Sequence, residues 1–150
     1  NTVATYFEPR GARTVFPCWD EPGLKAEFSI GVRHKANYKA ISNMPIKEEV
    51  PIDDEEVLTT FKKTPPMATY QLTIVVGLLE GLTNEYKNMT YWIQPGQTEQ
   101  LRFNAELSPL IVSALANYTG TPFPLPKLDT VYVYDFPAEA IEHWGAITFS

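Results

Sequence analysis

The chain has 150 residues and a formal net charge of −6. With 44% hydrophobic and 13% aromatic residues it is long enough to bury one sizeable core or two partial ones. The acidic balance argues against the basic footprint on which phosphate-backbone recognition depends, so nucleic acid is not an expected partner, whereas cations such as peptide amino termini are attracted.

Strand patterns dominate the first two thirds. Residues 2–7 and 26–32 alternate or run apolar with β-branched and aromatic side chains, which predicts half-buried strands. Between them, 11–23 holds Pro17, Pro22 and two glycines and reads as a turn-rich connection. A short strand is expected over 38–42. The run Asp53-Asp54-Glu55-Glu56 predicts a solvated hairpin tip; calcium binding is the alternative, although the spaced ligands and glycine of an EF-hand are missing. Longer strands are expected over 57–62 and 69–79, then 90–94, and the apolar run 72–79 suits a central strand covered on both faces. Together these predict a mainly β fold with an antiparallel sandwich or saddle-like sheet.

From Asn104 the period changes. Leu107, Leu110, Ile111, Ala114, Leu115 and Tyr118 share one helical face, and Gly120 is the expected stop. We place a domain boundary there, giving a β-rich unit over 1–103 and the start of a second unit over 104–150. Pro122, Pro124 and Pro126 read either as a rigid link to a strand over 130–134 or as a polyproline ligand, and 146–149 reads as a further strand. No apolar run approaches the roughly 20 residues needed to cross a bilayer. The first residues read as strand rather than signal peptide, which suggests an excerpt beginning inside a domain.

The lone Cys18 can form no intrachain disulfide and is expected to pack; a nucleophile would need His34 or His143 as its base. Asn88-Met89-Thr90 and Asn117-Tyr118-Thr119 make Asn88 and Asn117 glycosylation acceptors if the chain is secreted, pointing to an extracellular or plasma-membrane-associated location. Near the C-terminus Glu142 lies in a turn-like stretch, 135–145, among apolar and aromatic residues. A carboxylate in such company is hydrogen-bonded structure, a solvated turn residue or a receptor for a cation.

Ala140, Glu142, Trp144 and Gly145 match the loop Gly-Ala-Met-Glu-Asn-Trp-Gly that binds the substrate N-terminus in gluzincin aminopeptidases of the aminopeptidase N type. Similar stretches run back along the chain in the family's order. They are Thr5-Tyr6-Phe7-Glu8-Pro9-Arg10, Ala12-Arg13, Phe16-Pro17-Cys18-Trp19-Asp20-Glu21-Pro22 and Lys25-Ala26-Glu27-Phe28. Ser42-Asn43-Met44-Pro45, Met67-Ala68-Thr69-Tyr70-Gln71-Leu72 and residues 121–129 continue the series. The chain resembles this zinc metalloaminopeptidase family over nearly its whole length. The resemblance implies the end of an N-terminal β domain followed by the incomplete start of an α+β thermolysin-like catalytic domain.

By resemblance, Glu142 and Glu8 bind the free α-amino group of a peptide, with Ala140 beside them in the loop. Two carboxylates can hold a protonated amine, whereas an internal peptide bond offers no cation; anchoring also fixes the distance to the scissile carbonyl. The family's zinc is held by H-E-x-x-H and a downstream glutamate, and this sequence contains no such pair. The chain alone is therefore expected to hold no cofactor and to be inactive. The complete protein is expected to carry zinc, bind peptide N-termini and pack the rest of its catalytic domain against 104–150.

Four departures from the family pattern stand out. Glu139 occupies the Gly position, Ile141 the Met position and His143 the Asn position, and Tyr6 stands where glutamine is common. A side chain in place of glycine reshapes the loop or crowds the substrate, and Glu139 either favours basic N-terminal residues or is solvated. Glu139, Ile141 and His143 are thus specificity candidates. They also motivate two alternatives: a weakened or inactive relative retained for peptide or protein binding, and a pure scaffold.

Overall fold

The computed structural model describes residues 2–86 and 88–150. In chain order the first strands are β1 (Thr2–Ala4), β2 (Gly31–Lys35), β3 (Lys39–Ser42), β4 (Ile46–Pro51), β5 (Glu56–Phe61) and β6 (Ile74–Gly77). After them come β7 (Glu80–Thr83), β8 (Met89–Ile93), helix α1 (Arg102–Thr119), β9 (Leu128–Tyr132), β10 (Ala140–Ile141) and β11 (Ala146–Phe149). Short 3-10 turns occupy Ala12–Thr14, Thr69–Gln71 and Thr98–Leu101.

The expected mainly β fold is present, in three sheets. The first, β1-β6-β3, is antiparallel with β6 at its centre, where the fully buried Val75 agrees with the reading of an apolar central strand. The second, β2-β5-β4, is also antiparallel. Its β4–β5 turn is the acidic tip, closed by Asp53 Oδ1, which accepts from the backbone N–H groups of Glu55 and Glu56 at 2.9 and 2.8 Å. The third sheet, β10-β11-β9-β8-β7, is mixed: β9 runs parallel to both β8 and β11.

The third sheet is the middle layer. On one face Val131, Ile141 and Ala146 pack against Ile41 and Val75 of the first sheet. On the other, Met89, Tyr91 and Ile93 pack beneath Leu101, Ala105 and Val112 at the helix. The pleat explains the division, since successive β8 side chains point to opposite faces and Trp92 joins the first cluster while its neighbours join the second. A third cluster gathers Phe7, Ala12, Met67 and Leu72 with the half-buried Phe16, Phe28 and Trp144.

Some expectations shift. The strand expected over 69–79 begins as a 3-10 turn and is extended only over Ile74–Gly77. That expected over 26–32 starts at Gly31, Ala26 making only an isolated bridge to Met67. Helix α1 ends at Gly120 with φ 67°, as expected of a left-handed C-cap. Its sheet-facing residues, however, are Ala105 and Val112, while Leu110 and Tyr118 from the predicted apolar face are 66% and 90% exposed. At the expected 103/104 boundary, β7 and β8 on one side share a sheet with β9, β10 and β11 on the other. No helix among the described residues is long and apolar enough to cross a membrane.

Candidate functional site

Glu8 and Glu142 are separated by most of the chain, and the third cluster brings their neighbourhoods together. Phe7 is 3% exposed in that cluster, and Trp144 packs on the same cluster from the other end of the sequence. Gly11 keeps the first segment tight: its N–H bonds the Phe7 carbonyl at 2.7 Å, and a Cβ there would lie 2.9 Å from Phe7 Cα. Glu8 and Glu142 themselves are exposed. Hydrophobic burial of adjacent residues thus fixes two backbones while leaving both carboxylates open to a ligand.

Tyr70 lies on the 3-10 turn Thr69–Gln71. Burial pushes its phenol pKa up, and the negative charges of Glu142 and Glu8 push in the same direction.

Buried polar groups hold that turn and the Glu142 loop. Asn43 is 1% exposed; its Nδ2 donates to the Gln71 carbonyl at 2.8 Å and to the Trp144 carbonyl at 2.7 Å, while its Oδ1 accepts from Thr73 N–H at 3.1 Å. Gly145 follows with φ 75°, and a Cβ there would overlap the Asn43 carbonyl oxygen. Lys127 Nζ donates to the carbonyls of Ser42 at 2.6 Å and Gly145 at 2.9 Å, and to Asp129 Oδ2 at 2.8 Å. Burial lowers the Lys127 pKa and raises that of Asp129, and their mutual attraction opposes both changes.

Beneath the turn lies Asp20. Thr69 Oγ1 donates to its Oδ1 at 2.6 Å, and the backbone N–H and Nε of Arg13 donate to Oδ2 at 3.1 and 3.2 Å. The Thr69 hydrogen bond is the chief cause holding the Asp20 carboxyl below its ordinary range; burial opposes it and Arg13 assists.

The remaining sequence candidates are dispersed. Ala140 and Glu139 are exposed, whereas Ile141 is 4% exposed with its side chain in the first core cluster. His143 is 1% exposed, with Nδ1 3.3 Å from Thr148 Oγ1 and Nε2 without a hydrogen-bond partner. Burial holds its pKa at about 4, the Glu142 charge pulling it upward less strongly. Asn88 and Asn117 are exposed. Cys18 is half-buried beside Phe16 and Phe28, and burial pushes its thiol up.

His34 is buried in β2 of the second sheet, with Nε2 2.8 Å from Thr59 Oγ1, whereas the Thr148 partner of His143 lies in the third sheet. Among the described residues no three His, Cys, Asp or Glu side chains converge as metal ligands. What the arrangement offers is two exposed carboxylates on segments that share one cluster, suited to a cation. Tyr70 and Asn43 carried no signal in spacing; only their place inside the matched stretches 67–72 and 42–45 could have marked them.

Residues 1–71 match the Peptidase M1 N-terminal domain. The chain is 38% identical over 150 residues to the glutamyl aminopeptidase of Bos taurus, covering 98% of this chain and 16% of that protein. It is 36% identical over 152 residues to aminopeptidase M1 of Arabidopsis thaliana, covering 99% of this chain and 17% of that protein. The chain spans about one sixth of the length of these relatives. By the domain match and these identities along almost all of its length, the chain belongs to the M1 aminopeptidase family.

Proposed function

We propose that this chain is the part of a zinc-dependent aminopeptidase that anchors the free α-amino group of a peptide, through Glu142 and Glu8, while the zinc ligands belong to sequence outside it. The observation that carries the reading is that the segments bearing Glu8 and Glu142 pack into one cluster, through Phe7 and Trp144, while both carboxylates stay exposed. An ammonium placed there gains charge-assisted hydrogen bonds that an acetylated terminus cannot make. Zinc would supply Lewis-acid activation of the scissile carbonyl or of water; this chain's residues bind and orient the amine end. Exposure of Asn88 and Asn117 supports glycosylation and an extracellular setting.

The test is Glu142→Gln and Glu8→Gln in the longer protein, with kinetics on substrates bearing free and acetylated amines. Losing one charged partner is expected to lower kcat/KM for the free amine by about tenfold to hundredfold. Unchanged kcat/KM, with fold and zinc content intact, discards the anchor.

A further inference from the structure

We propose that Asn43 is a positioning residue for the amine anchor: its side-chain amide clamps the Glu142 loop to the turn that carries Tyr70 and thereby sets the geometry of the acidic pair. The inference rests on the anchor reading of Glu8 and Glu142.

Both N–H groups of the amide are used, one on each of two backbones. The Gln71 carbonyl is the residue after Tyr70, and the Trp144 carbonyl lies two residues after Glu142. With Oδ1 occupied by Thr73 N–H, this nearly inaccessible side chain has its hydrogen-bonding geometry fixed at three points. A carboxylate of the same shape would face two carbonyl oxygens with no proton to offer, and serine or alanine would not span the gap. Asparagine is thus the side chain whose size and donor pair suit the junction.

The surroundings press the same two backbones together. Gly145 lies against the Asn43 carbonyl with no room for a Cβ, and Lys127 bonds the carbonyls of Ser42 and Gly145. The clamp therefore acts two residues from Glu142 and one from Tyr70, and it touches neither carboxylate. Its loss should loosen the spacing of Glu142 from Tyr70 and Glu8 while leaving the remote chemistry intact, which is an effect on amine binding rather than on turnover.

The experiment compares Asn43→Ala and Asn43→Asp in the longer protein with Glu142→Gln and with the double variant Asn43→Ala/Glu142→Gln. Thermal unfolding selects a temperature at which each is folded. For an aminoacyl anilide, KM is expected to rise about tenfold with kcat within about threefold. Inhibition by a free amino-acid amide should weaken in parallel, and that by its N-acetyl counterpart should not. In the Glu142→Gln background the further loss should be less than about threefold, because Asn43 acts through Glu142. If the alanine variant does not fold, the isosteric aspartate variant, which still accepts from Thr73, carries the same expectation. Equal losses for free and acetylated ligands, or full additivity with Glu142→Gln, overturn the proposal and leave Asn43 a purely structural residue. An inert Glu142→Gln would instead defeat the anchor reading itself.

Discussion

Replacing His143 with asparagine, the residue usual at this loop position, should remove an acid-dependent loss of stability. The imidazole is 1% exposed, its Nε2 has no partner, and its pKa is held at about 4 by burial. In the unfolded chain it binds a proton near 6.5. Between those values the unfolded state carries the extra proton, so stability falls as pH falls. The full gap corresponds to about 3 kcal/mol, lost progressively from neutral pH to pH about 4. The amide side chain of the variant has nothing to titrate. Asp129, raised by burial, titrates in both proteins, so the difference between their stability profiles isolates the imidazole.

Two measurements check this on the 150-residue chain. Urea unfolding at a series of pH values should give a wild-type curve steeper than that of His143→Asn. The chain has two histidines, so the variant also assigns the His143 ring resonance in a proton NMR titration. A His143 midpoint near the ordinary 6.5, or stability profiles that stay parallel within about 0.5 kcal/mol, would refute the burial argument.

Gly145→Ala should destabilise by about 3 kcal/mol, combining about 1 kcal/mol for an L side chain in the left-handed region with the overlap at the Asn43 carbonyl. Thermal unfolding should then shift down by roughly 10 °C; an unchanged midpoint contradicts the packing. Lys127→Met should lose about 3–5 kcal/mol, because it strands the Asp129 carboxylate, 14% exposed, and two carbonyls. Adding Asp129→Leu should recover part of that loss in denaturant titrations, and no recovery would show that the charge is not the cause.

Local pattern made much of the fold legible. The central strand at Val75, the acidic tip at Asp53, the stop at Gly120 and the strand Ala146–Phe149 all follow from side-chain period or turn chemistry. What escaped is long-range. The strand expected over 90–94 read as an ordinary member of the first unit and β7 was not foreseen, yet β8 pairs in parallel with β9, more than 30 residues later, a choice that no local period encodes. The helix misled for a related reason: its larger apolar side chains suggested the buried face, but Ala105 and Val112 let the helix approach the sheet. At the candidate site, motif resemblance pointed to Glu8 and Glu142. Tyr70 and Asn43 became visible only through the partners that folding gives them.

The division between exposed acids and buried clamps has a physical logic. A solvated carboxylate paired with an ammonium contributes little, typically about 0–1 kcal/mol, since water competes and both side chains lose freedom. Two such groups become a useful anchor only if their spacing is set before the ligand arrives, because ordering them on binding would consume much of the gain. Neither Glu8 nor Glu142 can do this alone, being open to solvent. The spacing is instead set below the surface, where Asp20 holds the Tyr70 turn, Asn43 joins that turn to the Glu142 loop, and Lys127 joins the loop to β3. Each is a polar group whose removal leaves buried partners unsatisfied, so each resists loosening more strongly than an apolar contact of equal area would. The rigidity of the proposed anchor would thus be built into residues that do not meet the ligand.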